Sequence, residues 1–114
     1  MNNLQITARW RIHDGKLDEY KKLAEQCLAI TKEKDKETLQ FDWYFNQDQT
    51  ECVVREKYPD SNALLVHISN LGELLGNLFQ VGDLDVEIYG NPSQELLNAT
   101  TGINKKVYSF YQGK

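Results

Sequence analysis

The feature that most constrains this chain is a change of hydrophobic period close to its start. Residues 4–12 alternate, with Leu4, Ile6, Ala8, Trp10 and Ile12 on one side and Gln5, Thr7, Arg9 and Arg11 on the other. A period of two is the pattern of a strand that buries one face. From Lys16 to about Lys34 the apolar residues return at helical spacing instead, as Leu17, Tyr20, Ala24, Cys27, Leu28 and Thr31. Asp14-Gly15 separates the two regimes. Asp14 reads as an N-cap, and Asp18 and Glu19 put negative charge in the first turn, where the helix dipole favours it. A half-buried strand followed at once by an amphipathic helix demands that the helix cover the strand.

The same reading continues along the chain. A second strand is expected from about Thr38 to Asn46, with Leu39, Phe41, Trp43 and Phe45 facing one way and Gln40, Asp42, Tyr44 and Asn46 the other. Asp48-Gln49-Thr50 supplies a turn, and residues 51–58 read as a third strand that closes a hairpin. Pro59 ends it, and Asp60 or Ser61 caps a short helix carrying Ala63, Leu64, Leu65 and Ile68. Asn70, with Glu73 three residues on, suggests a capping box that opens another short helix through Leu74, Leu75, Leu78 and Phe79. Residues 83–90 alternate again as a fourth strand. Asn91-Pro92-Ser93-Gln94 resembles an N-cap, an N1 proline and an N3 glutamine ahead of a last short helix. The tail from about Lys105 to Tyr111 is a candidate fifth strand.

This order is βαββαβ with a C-terminal α-β extension, which predicts an α+β fold of the ferredoxin-like kind: an antiparallel sheet with helices on one face. A single domain over residues 1–114 is expected, its core at about 4–90 and its extension at 91–114. Helices cover only one side of such a sheet. A second copy packed sheet against sheet would cover the other, so a homodimer through the sheet face is the expectation.

Composition narrows the function classes. The net charge of −4 argues against nucleic acid, whose phosphates need a positive field. Lys32, Lys34 and Lys36 cluster, but Glu33, Asp35 and Glu37 alternate with them, which reads as a solvated face. No apolar run reaches the roughly 20 residues of a membrane span. The first residues lack the pattern of a secretory signal, which makes the cytoplasm the default location. Cys27 and Cys52 fall on a helix stripe and in a strand, as buried, unpaired thiols.

Candidate chemistry is sparse. His13 and His67 are the two histidines, and no metal-ligand spacing, phosphate-cradling glycine loop or nucleophile-elbow motif occurs. Neither a metal nor a cofactor is expected. His67 lies on the helix after the hairpin among Leu64, Leu65 and Ile68, either as a base near neutral pH or as a buried imidazole tied to a carbonyl. Arg9, Arg11, Asp42, Tyr44, Glu56 and Tyr58 sit on strands, which hold side chains firmly. For the arginines, ion pairing is the simpler role. Tyr44 and Tyr58 suit a pocket wall. Trp43 and the other aromatics either line a cavity for a flat organic molecule or form ordinary core.

The stretch from Glu56 through Tyr58, Pro59, Asp60 and Ala63 to His67 resembles a signature of the antibiotic-biosynthesis-monooxygenase-like family. There the third strand ends in Glu-x-Trp/Tyr and leads into a capped helix bearing Ala and then His. Asp14-Gly15-Lys16-Leu17 and the long helix after it also resemble the family's opening, and the likeness spans roughly residues 4–90. The resemblance implies a dimeric α+β barrel of two ferredoxin-like protomers, each with a pocket between sheet and helices. Family members include cofactor-independent oxygenases of polycyclic phenols or quinols, haem-degrading enzymes and an isomerase of a signalling sugar derivative. It therefore implies a small aromatic or quinol-like ligand, with His67 and Tyr58 as catalytic candidates and Glu56, Tyr44, Trp43 and Arg9 as binding candidates. A non-catalytic dimer that uses the same pocket for a small ligand is the alternative. The haem-degrading pattern is broken, since its first-strand Asn is Ala8 here and its third-strand Trp is Tyr58, and the second His that many relatives carry five residues beyond the first is Gly72.

Overall fold

A computed structural model describes residues 3–114. The alternating start forms β1 (Leu4–Ile12), and the helical stretch forms α1 (Leu17–Lys34). There follow β2 (Gln40–Phe45), β3 (Glu51–Tyr58), α2 (Ser61–Leu71), α3 (Glu73–Phe79), β4 (Gly82–Tyr89), α4 (Gln94–Ala99) and β5 (Asn104–Tyr108). The strands make one five-stranded sheet in the order β2-β3-β1-β4-β5. The first four are antiparallel in the ferredoxin-like order, and β5 adds to β4 in parallel. The extension thus completes a β4-α4-β5 crossover on its own sheet, the connection that parallel neighbours require.

Several local expectations change. Asp14 does not cap α1. The chain turns through Gly15 (φ 76°), and the N-cap is Lys16, without a side-chain bond. Asp60 does cap α2, accepting from the Ala63 N–H at 2.9 Å. Asn70 opens no helix, because α2 runs on to Leu71 and the break falls at Gly72 (φ 53°). The last helix is capped by Ser93, which accepts from the Leu96 N–H, rather than by Asn91.

The pleat sorts residues to two faces. Leu4, Ile6, Ala8 and Trp10 of β1 share the helix-covered face with Cys52, Val54, Glu56 and Tyr58 of β3, as the register Ile6↔Glu56 and Ala8↔Val54 requires. Two apolar clusters build the core there. One gathers Trp10, Tyr20, Cys27, Cys52, Val54 and Leu78 under α1 and α3. The other gathers Leu4, Ile6, Tyr58, Leu64, Ile88 and Leu96 under α2 and α4. Both cysteines are free and buried. The opposite face carries ion pairs of Arg9 with Glu87 and Arg11 with Asp85. Among the described residues no helix is long and apolar enough to cross a membrane.

Candidate active site

Between the two core clusters lies a cavity of about 90 Å³. Its walls are overwhelmingly apolar, drawn from β1, β3, β4 and the helices above them. A few polar side chains interrupt them, chief among them Glu56, His67 and Lys105. A mostly apolar recess with a few placed polar groups is the ordinary form of a small-molecule site.

His67 is held from outside the cavity. The chain leaves α1 at Asp35, whose backbone N–H still closes the helix on Thr31 O at 2.9 Å. Its side chain turns inward and is only 2 % exposed. Asp35 Oδ2 accepts from His67 Nδ1 at 2.5 Å, and Oδ1 accepts from the Asn70 amide. His67 and Asn70 lie three residues apart on α2, so one helix face presents both donors to the same carboxylate. The Thr38 hydroxyl adds a longer bond at 3.4 Å. An edge contact from Phe41 (ring centroids 4.6 Å) and a tilted one from Tyr58 (5.5 Å) pack against the imidazole. A carboxylate on Nδ1 keeps that nitrogen protonated and leaves Nε2 as the proton acceptor, the arrangement that makes a histidine a general base.

Glu56 is the second ionisable group in the wall. It stands on the inward face of β3 between Ile6 and Phe41. The Tyr58 hydroxyl, two residues along on the same face, donates to Glu56 Oε1 at 2.5 Å. Burial pushes the Glu56 carboxyl above the usual carboxylate range, and the field of His67 and the Tyr58 bond only partly oppose this. Burial likewise raises the Tyr58 phenol, with the adjacent Glu56 adding to the effect.

The residues singled out from sequence are therefore divided. His67, Glu56 and Trp43 line the cavity. Tyr58 is wholly buried behind Glu56 and does not line it, so it serves the site as a partner of that carboxyl. Tyr44 projects from the far face of the sheet and is 54 % exposed. Arg9 is on that far face too, 4.0 Å from Glu87. Neither reaches the cavity, because alternation along β1 and β2 turns both away from the helices. Trp43 forms part of the wall, and its buried Nε1 has no hydrogen-bond partner among the described residues.

Three contributors were not legible in the sequence. Asp35 sits in the alternating Lys/Glu run that reads as a solvated face, and nothing in the sequence sets it apart from Glu33 or Glu37. Asn70 resembles a cap. The extension, expected outside the core and either to swap onto a partner or to cover the pocket, folds onto its own chain and gives the cavity Leu96, Thr100, Ile103 and Lys105, residues the sequence did not single out. Glu56 did leave a signal, as a carboxylate in register with Cys52, Val54 and Tyr58. Among the described residues no group of three or more His, Cys, Asp or Glu side chains could hold a metal ion.

Solved structures share this fold. MupZ from Pseudomonas fluorescens superimposes with a TM-score of 0.85 at 20% identity, covering 100% of this chain and 94% of that one. A Caulobacter crescentus protein, named provisionally an antibiotic biosynthesis monooxygenase, gives 0.71 at 15% identity over 81% of this chain and 92% of its own. A conserved protein from Methanosarcina mazei gives 0.71 at 18% over 80% and 94%. At these identities the likeness establishes the fold. No protein-family model and no curated sequence matches the chain.

Proposed function

We propose that this protein is a small-molecule enzyme of the antibiotic-biosynthesis-monooxygenase-like family that deprotonates an apolar, phenol- or quinol-like substrate inside the cavity. The observation that carries this reading is the buried Asp35–His67 pair, which opens onto an apolar recess with a second carboxyl in its wall. His67 Nε2 takes the substrate's O–H proton, and Asp35 stabilises the imidazolium that results. Trp43 Nε1 offers a hydrogen bond to the substrate oxygen. Dry apolar walls strengthen both interactions and shield the anion from water.

An electron-rich phenolate needs no bound cofactor to react with dioxygen. In the monooxygenase form of the reaction a ring CH₂ tautomer loses both hydrogens and gains one oxygen atom as C=O, while the other leaves as water. The substrate gives up four electrons and O₂ accepts four. The cavity is smaller than the ~150 Å³ that admits benzene in an engineered protein core, so wall side chains must move as a ring enters.

The test is oxygen consumption with a panel of quinols, comparing wild type with His67→Ala. Substrate-dependent oxygen uptake that falls by about 10²-fold or more in the variant supports the assignment. Undiminished uptake in the variant removes His67 from the mechanism. The acid-base pair also favours a second reading, proton relocation without oxygen. Deuterium entering the substrate from solvent without oxygen uptake would assign that instead.

The protein also forms a homodimer through the far face of the sheet, where Tyr44, Arg9, Glu87 and Tyr89 lie uncovered by any helix. Sedimentation equilibrium giving the mass of one chain at micromolar concentration would exclude this.

A further inference from the structure

Lys105 is out of place. It belongs to β5, where the register Val86↔Lys105 and Ile88↔Val107 puts it on the inward face of the sheet. Its neighbours on that row are Val86, Ala8 and Val54, all of them cavity wall. Lys105 is half-buried, its aliphatic stem lying along that row. Yet its ammonium donates only to the Thr100 carbonyl, at 2.7 Å, and among the described residues no carboxylate lies within 4.0 Å of it. A backbone carbonyl supplies one acceptor for three ammonium hydrogens.

The position of that charge is informative. Between β3, which holds Glu56, and β5 lie β1 and β4, so three inter-strand steps of about 4.8 Å separate the two backbones, roughly 14 Å in all. Glu56 and Lys105 thus line one apolar recess from strands three places apart in the sheet. Lys105 carries the one ammonium among the lining residues, and it favours an anion at its own end.

We infer that Lys105 binds the anionic terminus of the substrate, and that the substrate class is an elongated, largely apolar carboxylate whose reactive group lies at the Glu56–His67 end. A single ammonium suits a monoanionic carboxylate, whereas a phosphate dianion would call for several donors. The inference rests on the cavity being the substrate pocket and adds its specificity. It also gives the extension a purpose, because α4 and β5 supply this end of the recess. MupZ covers the whole chain, whereas several other neighbours leave about a fifth of it unmatched.

The test compares octanoate with octan-1-ol, the same chain with and without the charge, by protein NMR titration at pH 8. Wild type is expected to bind octanoate about tenfold or more tightly than the alcohol. Lys105→Met should erase that preference while leaving the alcohol's Kd unchanged, and Lys105→Arg should keep it. Equal binding of the two by wild type, or a preference that survives Lys105→Met, would overturn the role of Lys105 with the pocket intact. A loss of affinity for both probes alike in Lys105→Met would make the residue merely structural and also overturn it. Failure of both probes to shift cavity resonances in wild type would instead defeat the pocket itself.

Discussion

Asp35, which terminates α1, and His67, in the middle of α2, are joined by a 2.5 Å hydrogen bond with both side chains at most 3 % exposed. They are 32 residues apart, and the bond ties the end of the first helix to the face of the second. It also determines which imidazole nitrogen carries the proton.

Asp35→Asn is expected to release that control. The amide can no longer stabilise an imidazolium, and it can turn its NH₂ toward Nδ1 and favour the opposite tautomer. Long-range ¹H–¹⁵N spectra should show a protonated Nδ1 in wild type and a shift toward the Nε2-protonated form in the variant. Turnover of any substrate found should fall by about 10²- to 10⁴-fold. Identical ring spectra in the two proteins would show that Asp35 does not set the tautomer.

Glu56 makes stability pH-dependent, with a definite sign. Its carboxyl holds a proton more tightly in the folded chain than in the unfolded one, chiefly because burial penalises the charge. The contribution is therefore fully present below the unfolded carboxylate pKa and is lost as pH rises through the higher folded value. Glu56→Gln removes the titration. Measured by thermal melts, the variant should gain on wild type by several degrees between pH 4 and pH 8, and the difference should grow with pH. A difference in Tm that is flat across this range would contradict a raised Glu56.

The two thiols should be inert. Burial pushes the Cys27 thiol up to about 12, with Glu56 adding to it, and burial raises Cys52 as well. Since the thiolate is the reactive form, a disulfide reagent at pH 8 should label fewer than about one thiol in a hundred in the time that labels both in denaturant. Rapid labelling of the native protein would show that the α1–sheet contact opens readily.

Periodicity alone determined most of the architecture. The strands at 4–12, 51–58 and 83–90, the long helix and the Asp60 cap are all legible, because burying one face of a strand or helix writes a local pattern. The helix boundaries near Asp14, Asn70 and Asn91 were not, since several polar residues compete for each cap and packing decides among them. His67 stood out as an ionisable group among apolar residues, whereas Glu56 entered as one of several polar strand residues and through the family resemblance.

Only the tertiary structure decided what surrounds them. Asp35 looks like every other charge in its run until the end of α1 meets α2. Tyr44 suits a pocket wall, and Arg9 is a binding candidate through the resemblance, until the sheet turns both to its far side. Lys105 gains its meaning only when β5 pairs with β4 and carries it to the cavity. A local pattern records which way a residue faces, whereas a site is a meeting of residues distant in sequence, and the energy that brings them together is spread over the whole core.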